Sequence, residues 1–384
     1  MLKWILRAGL ALVLAMLVVG VTKRDDLVRL MAVNTLFDEE KIVSNFSSMD
    51  TLFLTTPLPR GDGTVAGLPI GAPATLPASV DTWITERAVT SLLILKDGAI
   101  VHESYHKGTD ADDLRISWSV AKSFLSALMG QVIEDGAIGS LDDPVTQYVP
   151  MLVGSAYDGT TIRNVLQMSS GVTFDEDYLD FNSDINKMGR ILALGGSMDA
   201  FAAKLTEGFA DPGAGWKYVS IDTHVLGMVI RGATGRSIPD LMSEKLIQPL
   251  GLQADPFYVT DGYGVAFVLG GLNVTTRDYA RFAQMIANGG VWNGQQLVPA
   301  DWIAEATRPS AKTAPGKLGY GYLWWIPVGA PEGEFLARGI YGQYIYFDLA
   351  RDVVIVTTAA DRKFREPGVM DQSIAIFRQI AASL

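Results

Sequence analysis

No cysteine occurs anywhere in the 384-residue chain. Its absence excludes disulfides, thiol nucleophiles and thiolate metal sites, and also the acylated cysteine that a bacterial lipoprotein needs. Histidine is almost as scarce. Only His102, His106 and His224 are available, so a Ser–His–Asp enzyme or a histidine-rich metal site would have to draw on these three. His102 and His106 share one face of an expected strand but stand apart along it, with no evident third ligand, and read as a structural pair. His224 falls on an expected helix. No G-x-S-x-G elbow is present, which counts against an α/β-hydrolase. Positive charge is also in deficit, with 31 Lys and Arg against 42 Asp and Glu, a formal net charge of -11. Nothing is left over to neutralise phosphates, so the composition argues against a nucleic-acid partner.

Apolar residues, by contrast, make up 48% of the chain and charged ones 19%, a globular balance with ample material for a core. The length allows one large domain or two ordinary ones. Lys3 and Arg7 precede an apolar run from Ala8 to Val21, and Lys23, Arg24, Asp25 and Asp26 follow it. Counted from Trp4 with Arg7 snorkelling, the run reaches about 18 residues, against the roughly 20 that a spanning helix needs. A secretory leader fits that length equally well, but no clean A-x-A cleavage site appears. Residues 4–21 are therefore expected to be an uncleaved inner-membrane anchor, with the rest of the chain periplasmic or otherwise extracytoplasmic. Residues 1–24 form this leader or anchor, 25–75 a connecting region with a loop rich in Pro and Gly, and 76–384 the main domain.

Within that domain, Val80 to Arg87 reads as a short helix. Ser91 to Leu95 and Ala99 to Tyr105 flank Lys96-Asp97-Gly98, a hairpin signal. Val120, Phe124, Leu125, Leu128, Met129, Val132 and Ile133 recur at helical spacing from Ser119 to Gly136. Helical patches then dominate to about residue 270. Further helices are expected near Arg277 to Ala287 and Pro299 to Ala306, strands at Tyr344 to Phe347 and Val353 to Thr357, and a last helix over Asp371 to Ala382. Strands at both ends with helices between them suggest a sheet built from the two termini around a helical insertion at about 115–270.

Ser119-Val120-Ala121-Lys122 places a hydroxyl and an amine at i and i+3 on one helix face. A serine becomes nucleophilic when a nearby base takes its proton, and a lysine can do so once desolvation lowers its pKa. Alone, the motif is weak, because a serine N-cap followed by a solvated lysine explains it as well. Two further segments matter. In Pro212-Gly213-Ala214-Gly215-Trp216-Lys217-Tyr218-Val219-Ser220, a loop tyrosine before a helix could relay a proton. In Arg338-Gly339-Ile340-Tyr341-Gly342-Gln343, glycines at a strand edge allow close backbone approach. Taken singly, these also fit a packed aromatic turn and a tight turn into a strand.

Together with Arg115 to Phe124, Leu141-Asp142-Asp143-Pro144-Val145, Leu166 to Gly171 and Glu176-Asp177-Tyr178, these segments resemble the penicillin-recognising serine hydrolases. That superfamily includes class C β-lactamases, D-Ala-D-Ala peptidases, family VIII esterases and 6-aminohexanoate-dimer (nylon oligomer) hydrolases, the last branch being particularly similar. The resemblance spans about residues 76 to 384. It implies an α/β, β-lactamase/transpeptidase-like fold: an antiparallel sheet flanked by helices plus a mainly helical inserted subdomain. It also implies Ser119 as acylated nucleophile, Lys122 as proton acceptor, Tyr218 as partner in the general-base role, and the backbone N–H groups of Ser119 and Ile340 as oxyanion hole. Tyr178 resembles a tyrosine on a loop that closes over substrate. Ser220, Gly339 and Gln343 are the other expected substrate contacts. The chain departs from the family at two places: Ser220 stands where many members have asparagine, and Ala337-Arg338-Gly339 replaces the K-T-G motif.

The expected activity is hydrolysis of small esters or amides through a Ser119 acyl-enzyme, with no metal or organic cofactor. The alternatives are a β-lactamase or D-Ala-D-Ala peptidase, disfavoured by the missing K-T-G lysine, and a non-catalytic binding protein, disfavoured by the intact Ser119, Lys122 and Tyr218 set. The acidic run Asp175, Glu176, Asp177, Asp180 and Asp184 reads as a solvated loop, with attraction of a substrate amine as the alternative.

Overall fold

The computed structural model describes residues 3–7, 9, 10 and 22–384. The expected anchor, residues 4–21, therefore lies largely outside the described residues. Among those described, no helix is long and apolar enough to cross a membrane.

Seven antiparallel strands form the main sheet: β1 (Val89–Lys96), β2 (Ala99–Tyr105), β3 (Gly319–Tyr320), β4 (Trp325–Ile326), β5 (Glu334–Gly339), β6 (Gln343–Asp348) and β7 (Val353–Ala359). Their spatial order is β2-β1-β7-β6-β5-β4-β3, so the N-terminal hairpin pairs directly with the last strand of the chain. Asp97 and Gly98 carry the hairpin turn, both at positive φ (51° and 76°), with Lys96 opposite Ala99. This is the backbone that a two-residue Asp-Gly connection favours. Every residue of β6 and β7 is buried. Such strands lack the polar alternation of a sheet with one wet face, because helices cover them on both sides.

The six longest helices among the described residues are α1 (Arg24–Thr35), α2 (Ala121–Glu134), α3 (Asp184–Ala193), α4 (Ser220–Thr234), α5 (Thr276–Ala287) and α6 (Val369–Ser383). Phe377 of α6 packs its ring against Tyr344 and Tyr346 of β6, and Phe124 of α2 stacks on Phe282 of α5 at 3.6 Å. The periodicity expected to begin at Ser119 is split. A 3-10 turn spans Trp118–Val120 and the α-helix begins at Ala121.

A second, four-stranded sheet had no counterpart in the sequence pattern. Its order is Thr55–Pro57, Phe257–Val259, Leu272–Val274, Arg115–Ile116, and it closes the two ends of the helical insertion. Its first strand comes from the region read as a connection. That region also buries Leu36, Ile42, Phe46, Met49, Phe53 and Leu58 in the body of the domain. These strands are two or three residues long, too short for a period-2 signal to emerge.

Candidate active site

Ser119 sits in the 3-10 turn directly after the Arg115–Ile116 strand, partly buried at the foot of a cleft between the main sheet and the helical insertion. One turn on, Lys122 is only 1% exposed. Its Nζ lies 3.1 Å from Ser119 Oγ and donates to the Leu269 carbonyl at 2.6 Å. Burial lowers the amine's pKa to about 7, although the Glu176 and Asp222 carboxyls pull the other way. A lysine of this kind is uncharged much of the time near neutrality and can accept a proton from the hydroxyl beside it.

Tyr218 approaches from the loop before α4. Its ring stacks on Trp325 of β4 at 5.2 Å and lies 5.5 Å from Lys122 Nζ. Burial and the Glu176 charge raise the phenol's pKa, opposed by a hydrogen bond with Ser119, the Arg338 charge and a hydrogen bond with Ser220. The phenol therefore keeps its proton at neutral pH.

Glu176 corrects the reading of the acidic run as a solvated loop. Asp175 and Asp180 are exposed and Asp177 pairs with Arg365 at 2.8 Å, but Glu176 turns inward. It accepts from the Ser220 backbone N–H and from the hydroxyls of Ser220 (3.2 Å) and Tyr178 (3.0 Å). Ser220 opens α4, where exposed N–H groups and the helix dipole favour an anion. Burial nevertheless raises the carboxyl's pKa. Beneath it, Asp222 is fully buried and accepts from Tyr157 (2.7 Å) and Ser170 (2.9 Å), while its second oxygen has no partner. Burial pushes its pKa up to about 8. Sequence reasoning missed both groups. Glu176 was hidden among acidic neighbours, whereas Asp222 could have been noticed as the one acid in an apolar helical run.

The two expected oxyanion donors belong to segments under local strain. Trp118, just before Ser119, has φ 44°, and Tyr341, just after Ile340, has φ 59°. Non-glycine residues hold this conformation only where the surroundings impose it. Here the constraint is a ring cluster. Tyr341 stacks on Phe37 at 4.7 Å and meets Phe364 at 4.6 Å, and Trp118 meets Phe37 (5.6 Å) and Phe46 (5.4 Å). Gly339 lets the strand press against the nucleophile's own backbone, since a Cβ there would stand 2.6 Å from the Ser117 carbonyl oxygen and 3.1 Å from Trp118 Cβ.

Of the expected substrate contacts, Tyr178, Ser220 and Gly339 line the recesses beside Ser119. Gln343 does not. Its buried amide donates to the Ile340 and Ala359 carbonyls (3.1 and 2.9 Å) and accepts from the Ala359 N–H, bracing the turn rather than facing the cleft. His224 pairs with Asp199 at 2.8 Å, while His102 and His106 each lie 3.0 Å from the Ser104 hydroxyl. Among the described residues no cluster of His, Asp and Glu is placed to hold a metal.

The Beta-lactamase family model matches residues 81–377. The 6-aminohexanoate-dimer hydrolase of Paenarthrobacter ureafaciens is 30% identical over 328 residues, covering 81% of this chain and 83% of that protein. Penicillin-binding protein 4* of Bacillus subtilis is 24% identical over 251 residues, 57% of this chain and 54% of its own length. A structure from Bacillus anthracis, provisionally assigned as a 6-aminohexanoate-dimer hydrolase, superposes with a TM-score of 0.79 at 22% identity, covering 90% of this chain and 95% of that one.

Proposed function

Since the chain belongs to the Beta-lactamase family, we propose that it is a serine hydrolase of small esters or amides that works through an acyl-enzyme on Ser119. One observation carries the reading: a buried amine, its pKa lowered to about 7, lies 3.1 Å from the Ser119 hydroxyl. Neutral Lys122 takes the Ser119 proton as Oγ bonds to the substrate carbonyl carbon. The backbone N–H groups of Ser119 and Ile340 stabilise the oxyanion, a role in which a single donor is worth about 2.7–4 kcal/mol in other hydrolases. Tyr218, still protonated, gives its proton to the departing alkoxide or amine and recovers one from the Lys122 ammonium. Water then attacks the acyl-enzyme by the same route and releases the acid. The high pKa of Tyr218 supports this division of labour over a shared base.

A fluorophosphonate probe should label the wild type and leave Ser119→Ala unlabelled. Equal labelling of both would remove Ser119 from the mechanism. We propose further that the apolar run from Ala8 to Val21, with basic residues ahead of it, is an inner-membrane anchor that holds the domain outside the cytoplasm. In spheroplasts, added protease should digest the domain; full protection would refute that placement.

A further inference from the structure

Two recesses meet at Ser119 and share only Tyr178 and Ile340 besides. They differ in chemistry. One holds Glu176, Tyr218, Arg338 and Arg365, and so contains the proton donor for the leaving group together with all the charged groups. The other is walled by Phe37, Met49, Phe53, Met188, Leu192 and Phe267, and no charged side chain lines it. Apart from the nucleophile Ser119 and the Trp118 indole N–H, a buried donor without a partner, its few polar groups are engaged. The Asn186 amide donates to the carbonyls of Asp177, Tyr178 and Asp180, and the hydroxyls of Ser220 and Tyr178 both reach Glu176. A cationic substrate end placed there would lose water and meet no counter-charge.

Gly189 adds an independent observation. It lies in the middle of α3 with ordinary helical backbone, where glycine is a poor choice for the helix. It also lines the apolar recess, and a Cβ added there would meet nothing within 4 Å. The missing side chain keeps space open in the pocket.

Resting on the acyl-enzyme reading, we infer that the substrate is an ester or amide of an uncharged aliphatic acid of medium chain length. Its acyl chain lies in the recess walled by Phe37, Met49, Phe53, Met188, Leu192 and Phe267. The leaving group must lie beside Tyr218 to receive its proton, so the acyl portion is left with the opposite, apolar side.

The test holds the leaving group constant in a p-nitrophenyl ester series from acetyl to dodecanoyl, with 6-aminohexanoyl as a charged partner to hexanoyl. We expect kcat/KM to rise by about two- to fourfold per methylene as far as hexanoyl or octanoyl. Hexanoyl should exceed 6-aminohexanoyl by at least about tenfold, since no carboxylate lines the recess to meet the ammonium. In Gly189→Leu the octanoyl-to-acetyl ratio of kcat/KM should fall by about tenfold or more, with a melting temperature no lower than wild type, because leucine suits a helix better than glycine. With Ser119 still labelled by fluorophosphonate, a profile that declines from acetyl onward, or parity between hexanoyl and 6-aminohexanoyl, overturns the pocket assignment alone. A wild type whose Ser119 is not labelled overturns the acyl-enzyme reading beneath it. Both outcomes can be read in the unmutated protein, so the inference does not depend on the variant folding.

Discussion

Lys122 has its ammonium form disfavoured by burial, and this sets the sign of the pH dependence. Below its pKa of about 7 the amine carries a proton and cannot accept another, so kcat/KM should climb as pH rises through 7. Lys122→Ala should lower it by about 10²–10⁴-fold, the usual contribution of a positioned general base. Glu176 favours the ammonium through its negative charge. Glu176→Gln removes that charge and should move the acid limb of the profile to lower pH; a shift the other way, or none, would contradict the assigned electrostatics. Asp222 supplies a stability test. Its carboxyl titrates at about 8 in the fold against about 3.9 in an unfolded chain, so the native state binds the extra proton between those values. Stability from this group is therefore complete below pH 4 and fades as pH rises through 8. Asp222→Asn, which does not titrate, should melt higher than the wild type at pH 9 by calorimetry.

At the scale of elements, the β5–β6 turn couples the sheet to the nucleophile. Gly339→Ala would drive a Cβ into the Ser117 carbonyl at 2.6 Å, and both contacting groups are main chain or firmly packed. The turn must move, carrying Ile340 with it. We expect about 10²–10³-fold loss in kcat, the cost of one misplaced oxyanion donor, with the fold retained by circular dichroism. Gln343 acts on the same turn from behind. Its amide satisfies the part-buried Ile340 carbonyl in the turn and the buried carbonyl and N–H of Ala359 at the end of β7. Gln343→Ala strands these groups at about 1–3 kcal/mol each, which a lower melting temperature should register. Had Gln343 touched substrate instead, KM would rise with stability unchanged.

The molecule as a whole depends on its N-terminal segment more than the chain's composition suggests. Residues 24–58 carry one strand of the second sheet and wall the apolar recess beside Ser119, and Phe37 and Phe46 seat the rings of Trp118 and Tyr341. Deleting one large buried apolar side chain costs about 2–5 kcal/mol, against a total stability of about 5–15 kcal/mol for a typical domain. A chain beginning at residue 76 would lose Leu36, Ile42, Phe46, Met49, Phe53 and Leu58 together. It should be insoluble or unfolded, and near-native melting would show that this segment is dispensable. Phe37→Ala is the milder variant. It should slow fluorophosphonate labelling of Ser119 more than its modest melting shift implies, because it loosens both strained residues at once.

Local signals were legible without coordinates. Asp97-Gly98 required a tight hairpin, the three-and-four spacing after Ser119 required a helix, and that spacing placed Lys122 over Ser119. These features depend on steric limits and periodicities that act over a few residues. What tertiary structure decided lay between distant segments. Glu176 and Asp180 belong to one acidic run, yet only the first turns inward, because α4 offers it a helix N-terminus 44 residues away. Gln343 looked like a cleft residue until β7 claimed its amide. Desolvation of Lys122 likewise comes from everything packed around it, and burial is a sum over the whole fold that no short stretch of chain encodes.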